Sequence, residues 1–434
     1  MDTFVTVFLT IVLIAFCVIS YLGKVRLREG KARRLAAHPT LHPESTQGLL
    51  PHIDASLCIG CAACTTVCPE GEVLAMLGGR AFIVNGHKCI GHERCVAACP
   101  VGAIAMVRTA PKANTDTPSL TAEYETTLKN LFIVGELGGL PLIKNAVNQG
   151  RECIDIIRNR MRTARRAEPD VYDVLIVGAG PAGISASLRA IENKLKYITI
   201  ERDEVGGTVA KFPRQKVITT TPLEFPLYGR LPKTELAKEH LLAFWDMVLN
   251  RAEFNVCTDS MVNDIRRLSD GNLLVLTATQ RYRARHVVLA IGRAGNPRKL
   301  GVNGEQLGKV MYRLIDAHQY RHKNILVIGG GDSAVEAAIA LAQQAGNHVT
   351  LSYRRQEFTR VKERNAKGIR QFVDTGRVQV IFNSMPMEFR HDSVVLSVAG
   401  RLRKISNDYV WIYAGGTPPY EFLRKIGVGF GSPA

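Results

Sequence analysis

Tyr172–Glu201 reads YDVLIVGAGPAGISASLRAIENKLKYITIE. A β-branched apolar run, Val174 to Val177, ends in Gly178-Ala179-Gly180-Pro181-Ala182-Gly183, and an Ala-rich helical stretch follows. A second short strand, Tyr197 to Ile200, then closes on Glu201. This order predicts the strand–turn–helix–strand unit that binds a dinucleotide. Gly178 allows the sharp turn, Gly180 lets the backbone approach a pyrophosphate, and Gly183 lets the helix pack close to the strand. The helix N-terminus then meets the phosphates. Glu201 falls about 20 residues on, where a carboxylate accepts from ribose hydroxyls.

The pattern recurs at Asn324–Ala334, NILVIGGGDSA. Gly329, Gly331 and Ala334 repeat the small-residue spacing, and Asp332 and Ser333 open the next helix. About twenty residues further on, the strand HVTLSYRR carries no acid; Arg354 and Arg355 stand there, with Arg360 beyond. A free 2′-hydroxyl wants a carboxylate, whereas a 2′-phosphate wants guanidinium forks. NADPH is therefore expected over NADH, the alternative being that these arginines are ordinary surface charge.

Ten cysteines are too few for a disulfide scaffold in 434 residues, and seven of them lie between Cys58 and Cys99. That clustering points to metal ligation in a reducing compartment. Cys58, Cys61, Cys64 and Cys68, followed by Pro69, have the spacing of a bacterial iron–sulfur run; zinc sites use separated pairs. The second run is Cys89-Ile-Gly-His92-Glu-Arg-Cys95-Val-Ala-Ala-Cys99-Pro100, with His92 where a cysteine is expected.

The charge balance of 56 Lys+Arg against 39 Asp+Glu, net +17, favours an acidic partner or an anionic membrane surface. Nucleic acid is not expected, because no nucleic-acid motif accompanies the charge. Thr3 to Leu22 is uncharged and apolar, near the roughly 20 residues of a membrane helix. Lys24, Arg26, Arg28, Lys31, Arg33 and Arg34 follow directly. No cation precedes the run and no small-x-small cleavage site follows it, so an anchor is expected rather than a secretory signal. The basic end then stays in the cytoplasm, which predicts a single-pass inner-membrane protein with its catalytic part in the cytoplasm.

From about Ile53 to Val107 the chain resembles the two-cluster bacterial ferredoxins. The resemblance implies crossed ligation: Cys58, Cys61, Cys64 and Cys99 on one 4Fe-4S cluster, and Cys68, Cys89 and Cys95 on the other. His92 is read as ligand to the fourth iron, the alternatives being a three-iron cluster or open iron site, and a histidine that merely lies nearby. From about Thr121 to Gly429 the chain resembles thioredoxin reductase-like flavoproteins. There Leu131 to Val134, Gly135-Glu136 and the helix Leu142 to Ile157 correspond to the FAD-binding segment that closes the family's chain. Here that segment comes first, so the order looks circularly permuted, and Glu136 departs from the family's aspartate. The resemblance also implies that Gly206, Gly207, Thr208 and Gly292 lie near the flavin, and that Tyr409 to Leu423 returns to the flavin domain. The Cys-x-x-Cys pair of thioredoxin reductases is missing: Gly292 to Met385 contains no cysteine.

The expected fold class is α/β, with two Rossmann-like domains for FAD and NADPH, a small ferredoxin-like α+β domain and one N-terminal transmembrane helix. The expected boundaries are 1–23 for the anchor, 24–52 for a basic linker and 53–112 for the ferredoxin domain. Residues 121–166 form the displaced segment, 167–305 the FAD domain, 306–405 the NADPH domain and 406–434 the return. The function expected is a membrane-anchored iron–sulfur flavoprotein oxidoreductase. It exchanges electrons with an acidic carrier such as ferredoxin, with quinone or with a cytochrome, and a homodimer is expected. The alternatives are a small-disulfide reductase acting directly from the flavin, and a non-enzymatic redox subunit or sensor.

Overall fold

The apolar run Val174 to Val177, ending at Gly178, makes the wholly buried half of the parallel strand Val171–Val177, on which one sheet is built. The computed structural model describes residues 2–36, 48–86, 89, 91–109, 117–138, 142–161, 169–219, 222–232, 235–293, 295–359 and 361–431. The chain divides into two units, Met1–Asn114 and Thr115–Ala434.

In the larger unit the first sheet runs Val256–Cys257, Tyr197–Ile200, Val171–Val177, Arg281–Leu289, Leu273–Thr277 and Val262–Arg267. The first four strands are parallel and the last two antiparallel. Arg281–Leu289 serves two neighbours. Its first half pairs with Leu273–Thr277, and its second half pairs in parallel with Leu131–Ile133. Leu131, Phe132 and Ile133 are wholly buried. The helix Ile143–Met161 buries Ala146, Val147, Gly150, Cys153, Ile154 and Ile157 at three- and four-residue intervals. A Cβ at Gly150 would come within 2.2 Å of the Ala182 carbonyl oxygen, so glycine lets this helix press against Pro181–Glu192.

The two ends of this unit meet. Ser119 N donates to the Gly429 carbonyl at 2.9 Å, and Gly431 N donates to the Thr117 carbonyl at 3.1 Å. The segment that begins the unit therefore sits beside the one that ends it, as a permuted order requires.

The second sheet is parallel throughout, in the order Val310–Met311, Tyr409–Ile412, Asn324–Ile328, His348–Ser352, Val378–Ile381. Alternation along Asn324–Ile328 sorts its two faces. Ile325 and Val327 pack under the helix Asp332–Ala342, while Leu326 and Ile328 pack against Phe389, Val394 and Leu396 of an antiparallel three-stranded sheet. Tyr409–Ile412 is thus a central strand of this sheet, which corrects its expected place in the return. The chain comes back only at Gly416–Thr417, paired with Asn296–Pro297, and at the helix Tyr420–Lys425, whose Leu423 joins the core of the first sheet.

In the smaller unit, Gly48–Ile53 pairs antiparallel with Ile104–Thr109, and Leu74–Leu77 with Arg80–Ile83. Residues 48–53 therefore belong to the ferredoxin-like sheet and not to a linker. Residues 24–36 continue the helix Asp2–Ala36, with Ala32 buried and Lys31 paired with Glu72. Among the described residues, no helix is long and apolar enough to cross a membrane. The transmembrane helix expected over Thr3 to Leu22 is therefore not supported.

Candidate dinucleotide cavity and cysteine cage

The first glycine turn is built by close approach. Gly178 has φ +103°, and a Cβ there would lie 2.6 Å from the Ala290 carbonyl oxygen. A Cβ on Gly183 would lie 1.8 Å from the Gly178 carbonyl oxygen, so strand and helix touch through backbone. Gly180 differs: nothing lies within 4 Å of where its Cβ would be. That open side faces a cavity of about 880 Å³, within the range of cofactor sites.

Gly178, Gly180, Pro181, Ala182 and Glu201 line this cavity, as do Gly207, Thr208 and Gly292. Gly135 and Glu136 of the displaced segment line it too. Gln149 accepts the Gly135 amide at 2.7 Å and holds that turn. Burial raises the Glu136 carboxyl above the usual range, with Arg293 opposing. Gly183 and Gly206 are packing positions: a Cβ on Gly206 would meet Leu242 at 3.0 Å. The Glu201 carboxylate accepts from Ala179 N at 2.6 Å and Asp203 N at 2.9 Å, tying the turn to the end of the next strand.

The second turn opens onto the same cavity through Gly331, Asp332, Ser333 and Ala334. Gly331 also has nothing within 4 Å of its missing Cβ, while Gly329, at φ +145°, packs against Tyr413. Arg354 and Arg355 are exposed, in the loop after His348–Ser352, and do not line the cavity. Arg355 donates to Thr359 Oγ1 at 3.2 Å. Arg360 lies outside the described residues.

Sequence reading missed the residues that join the two turns. Lys216, at 4.3 Å over the Phe212 ring, reaches Glu336 on the second helix at 3.0 Å. Arg214 Nη1 pairs with Asp316 at 3.1 Å, and Arg214 N donates to the Ile315 carbonyl at 3.0 Å. Asn365 bridges Asp332 and Glu336. These partners stand about a hundred residues or more apart in the chain, or belong to no spacing pattern, so no local signal marks them.

In the smaller unit Cys58, Cys61, Cys64 and Cys99 line one small apolar void. Burial pushes the Cys64 thiol up to about 11. Burial likewise raises Cys68 and Cys89, and it takes Cys95 to about 11. Cys89 feels the charge of Cys68, Cys95 feels that of both, and Glu70 acts on Cys68 and Cys89. His92 Nε2 is 3.7 Å from Glu70 Oε1. Among the described residues, no three His, Cys, Asp or Glu side chains converge as ligands of a single ion do. The first four thiols instead surround space, which suits a cluster whose own iron and sulfide fill the gap between thiolates.

The profile described as pyridine nucleotide-disulphide oxidoreductase matches residues 175–432, more than half of the chain. The chain belongs to that family. The profile of a 4Fe-4S dicluster domain matches residues 50–100. The resemblance to thioredoxin reductase-like flavoproteins fused to a ferredoxin domain is thereby borne out, and the chain is an NAD(P)H-dependent flavin oxidoreductase. The bacilliredoxin reductase Bdr of Bacillus subtilis is 27% identical over 259 residues, covering 58% of this chain and 80% of the relative. The ferredoxin–NADP reductase of Ignicoccus hospitalis is 28% identical over 265 residues, covering 59% and 81%. Among solved structures, the bacillithiol disulfide reductase Bdr (YpdA) from Bacillus cereus superposes with a TM-score of 0.54 at 25% identity, covering 59% of this chain and 81% of that one.

Proposed function

We propose that this chain moves electrons between NADPH and a one-electron carrier by way of FAD and two iron–sulfur clusters. The observation that carries the reading is that both glycine turns line one cavity, with no cysteine among its lining residues. FAD held there would supply hydride acceptance from NADPH and one-electron release, the chemistry needed between a nicotinamide and clusters. The chain's part is to hold and orient. Gly180 and the Pro181–Glu192 N-terminus receive the FAD pyrophosphate; Glu136 and Glu201 accept hydroxyls of its sugar parts; Gly331 and the Asp332–Ala342 N-terminus receive the NADPH pyrophosphate. Arg354 and Arg355, exposed beyond the strand His348–Ser352, which carries no acid, suit a 2′-phosphate.

Crossed ligation is the arrangement the cage fits best, with Cys99 beside the first run and Cys68 beside Cys89 and Cys95. The partner class is an acidic carrier of the ferredoxin type, supported by the +17 charge and by the ferredoxin–NADP reductase relative. The exposed apolar residues Phe8 to Leu22 followed by six cations support association with an anionic membrane surface, at the cytoplasmic face, where a quinone or cytochrome is also in reach. A homodimer is carried over from the resemblance; light scattering of the purified chain tests it. A second reading, direct reduction of a small disulfide at the flavin, draws on the likeness to the bacilliredoxin and bacillithiol disulfide reductases.

Anaerobic titration of the reconstituted chain with NADPH and NADH tests the scheme. Flavin bleaching followed by paramagnetic cluster signals, at lower NADPH than NADH, is expected. Turnover of a bacillithiol-type disulfide with silent clusters would replace it with the second reading.

A further inference from the structure

The two cysteine runs share one backbone path. Gly60 and Gly91 have φ of +74° and +79°, Ala62 and Glu93 have φ of 60° and 62°, and each pair leads into a four-residue helix, Ala63–Thr66 or Arg94–Ala97. His92 therefore occupies the station that Cys61 holds in the first run. The His92 side chain is 9% exposed, and so is that of Glu70, whose Oε1 lies 3.7 Å from His92 Nε2. Glu70 comes two residues after Cys68, in the turn that follows the first cysteine run.

We propose that Glu70 is a positioning residue for His92 at the second iron–sulfur site, taking the Nε2 hydrogen so that Nδ1 is the nitrogen turned to iron. The inference rests on reading His92 as a ligand together with Cys68, Cys89 and Cys95. A neutral imidazole has one donor and one acceptor nitrogen, and an iron-facing nitrogen must be the acceptor. The other then carries hydrogen and, in a buried place, needs a carboxylate or carbonyl to receive it. The present separation exceeds the 2.7–3.2 Å of a hydrogen bond by about 0.5–1 Å, a closure within the reach of a glutamate side chain. Charge follows the same logic. Imidazole in place of thiolate removes one negative charge from the site, and Glu70 returns one just outside it, which holds the potential of this cluster down.

The test uses the full chain, loaded anaerobically with iron and sulfide, reduced, and read by pulsed paramagnetic resonance for directly bound nitrogen and by redox titration of each cluster. The wild type is expected to show strong nitrogen coupling that vanishes in His92→Cys, with the cluster retained. Glu70→Ala is expected to lose or weaken the coupling. Glu70→Gln, which keeps an acceptor oxygen and drops the charge, is expected to restore it while the second cluster's midpoint potential moves upward. The signal of the cluster on Cys58, Cys61, Cys64 and Cys99 reports that each variant has folded. If Glu70→Ala fails that control, the Glu70→Gln potential decides. Nitrogen coupling and potential unchanged in both Glu70 variants would overturn the positioning role and leave His92 as ligand. A wild type without coupled nitrogen would instead overturn the ligand reading itself.

Discussion

Lys216 Nζ lies 3.0 Å from Glu336 Oε2, joining the lobe of the first glycine turn to the first helix of the second lobe, and both residues line the shared cavity. Their side chains are 24% and 35% exposed, so the pair adds at most about 1 kcal/mol to stability. Its effect should show in the approach of the two lobes. Lys216→Met is expected to leave the melting temperature within a few degrees of wild type while slowing NADPH-driven flavin bleaching about tenfold, equivalent to roughly 1.4 kcal/mol on the barrier. Stopped-flow absorbance checks this; an unchanged bleaching rate refutes it.

Two glycines of one turn are expected to fail differently. Gly183→Ala places a methyl 1.8 Å from the Gly178 carbonyl oxygen, an overpacking that costs about 1–3 kcal/mol and should be seen in denaturant melts of the apoprotein. Gly180→Ala meets nothing within 4 Å and should melt as wild type, yet lose FAD affinity by an order of magnitude or more because the methyl stands where the pyrophosphate lies. Equal stability losses in the two variants would contradict the division between packing and binding positions.

Arg354 and Arg355 are expected to act on the cofactor and not on the fold, being exposed beyond their strand. Replacing both with alanine should raise KM for NADPH at least tenfold, given roughly 1.5–3 kcal/mol for each charge-assisted contact, with KM for NADH little changed. A parallel rise for both nucleotides, measured by steady-state reduction of an artificial acceptor, would make these arginines ordinary surface charge.

Glu136 gives a pH dependence. Burial raises its folded-state affinity for protons above that of the unfolded chain, so the folded apoprotein binds more protons and loses stability as pH rises through the carboxylate range. Glu136→Gln removes that penalty. The variant apoprotein should be the more stable at neutral pH, with the difference disappearing below the ordinary carboxylate range. Chemical melts at neutral and acid pH decide it; a variant less stable at neutral pH would show that the carboxylate is favourably paired.

The joined ends of the larger unit yield a further expectation. Gly429 N donates to Thr127 Oγ1 at 2.7 Å, beside the Ser119–Gly429 and Gly431–Thr117 contacts. Removing residues 427–434 should therefore loosen the Leu131–Ile133 strand and release FAD, although none of the described residues among them, 427–431, lines the cavity. Flavin retained through gel filtration would refute this.

The parts of this protein legible in its sequence are those whose cause is local. A glycine turn must follow a strand and precede a helix, three cysteines must share one tight loop to hold one cluster, and alternating apolar residues must face opposite sides of a sheet. Each is written within about thirty residues. The displaced segment was readable for the same reason, because Leu131 to Met161 carries its own strand, turn and helix pattern. Tertiary structure alone decided what depends on residues distant in the chain. It set Lys216 against Glu336, put Glu136 and Gly180 on one cavity, brought Cys99 to the first cysteine run and Glu70 to His92, and placed Tyr409–Ile412 inside the second sheet, between Val310–Met311 and Asn324–Ile328. Such contacts follow from how sheets and helices close on one another, and one-dimensional spacing carries no record of which charge or methyl ends up across the gap.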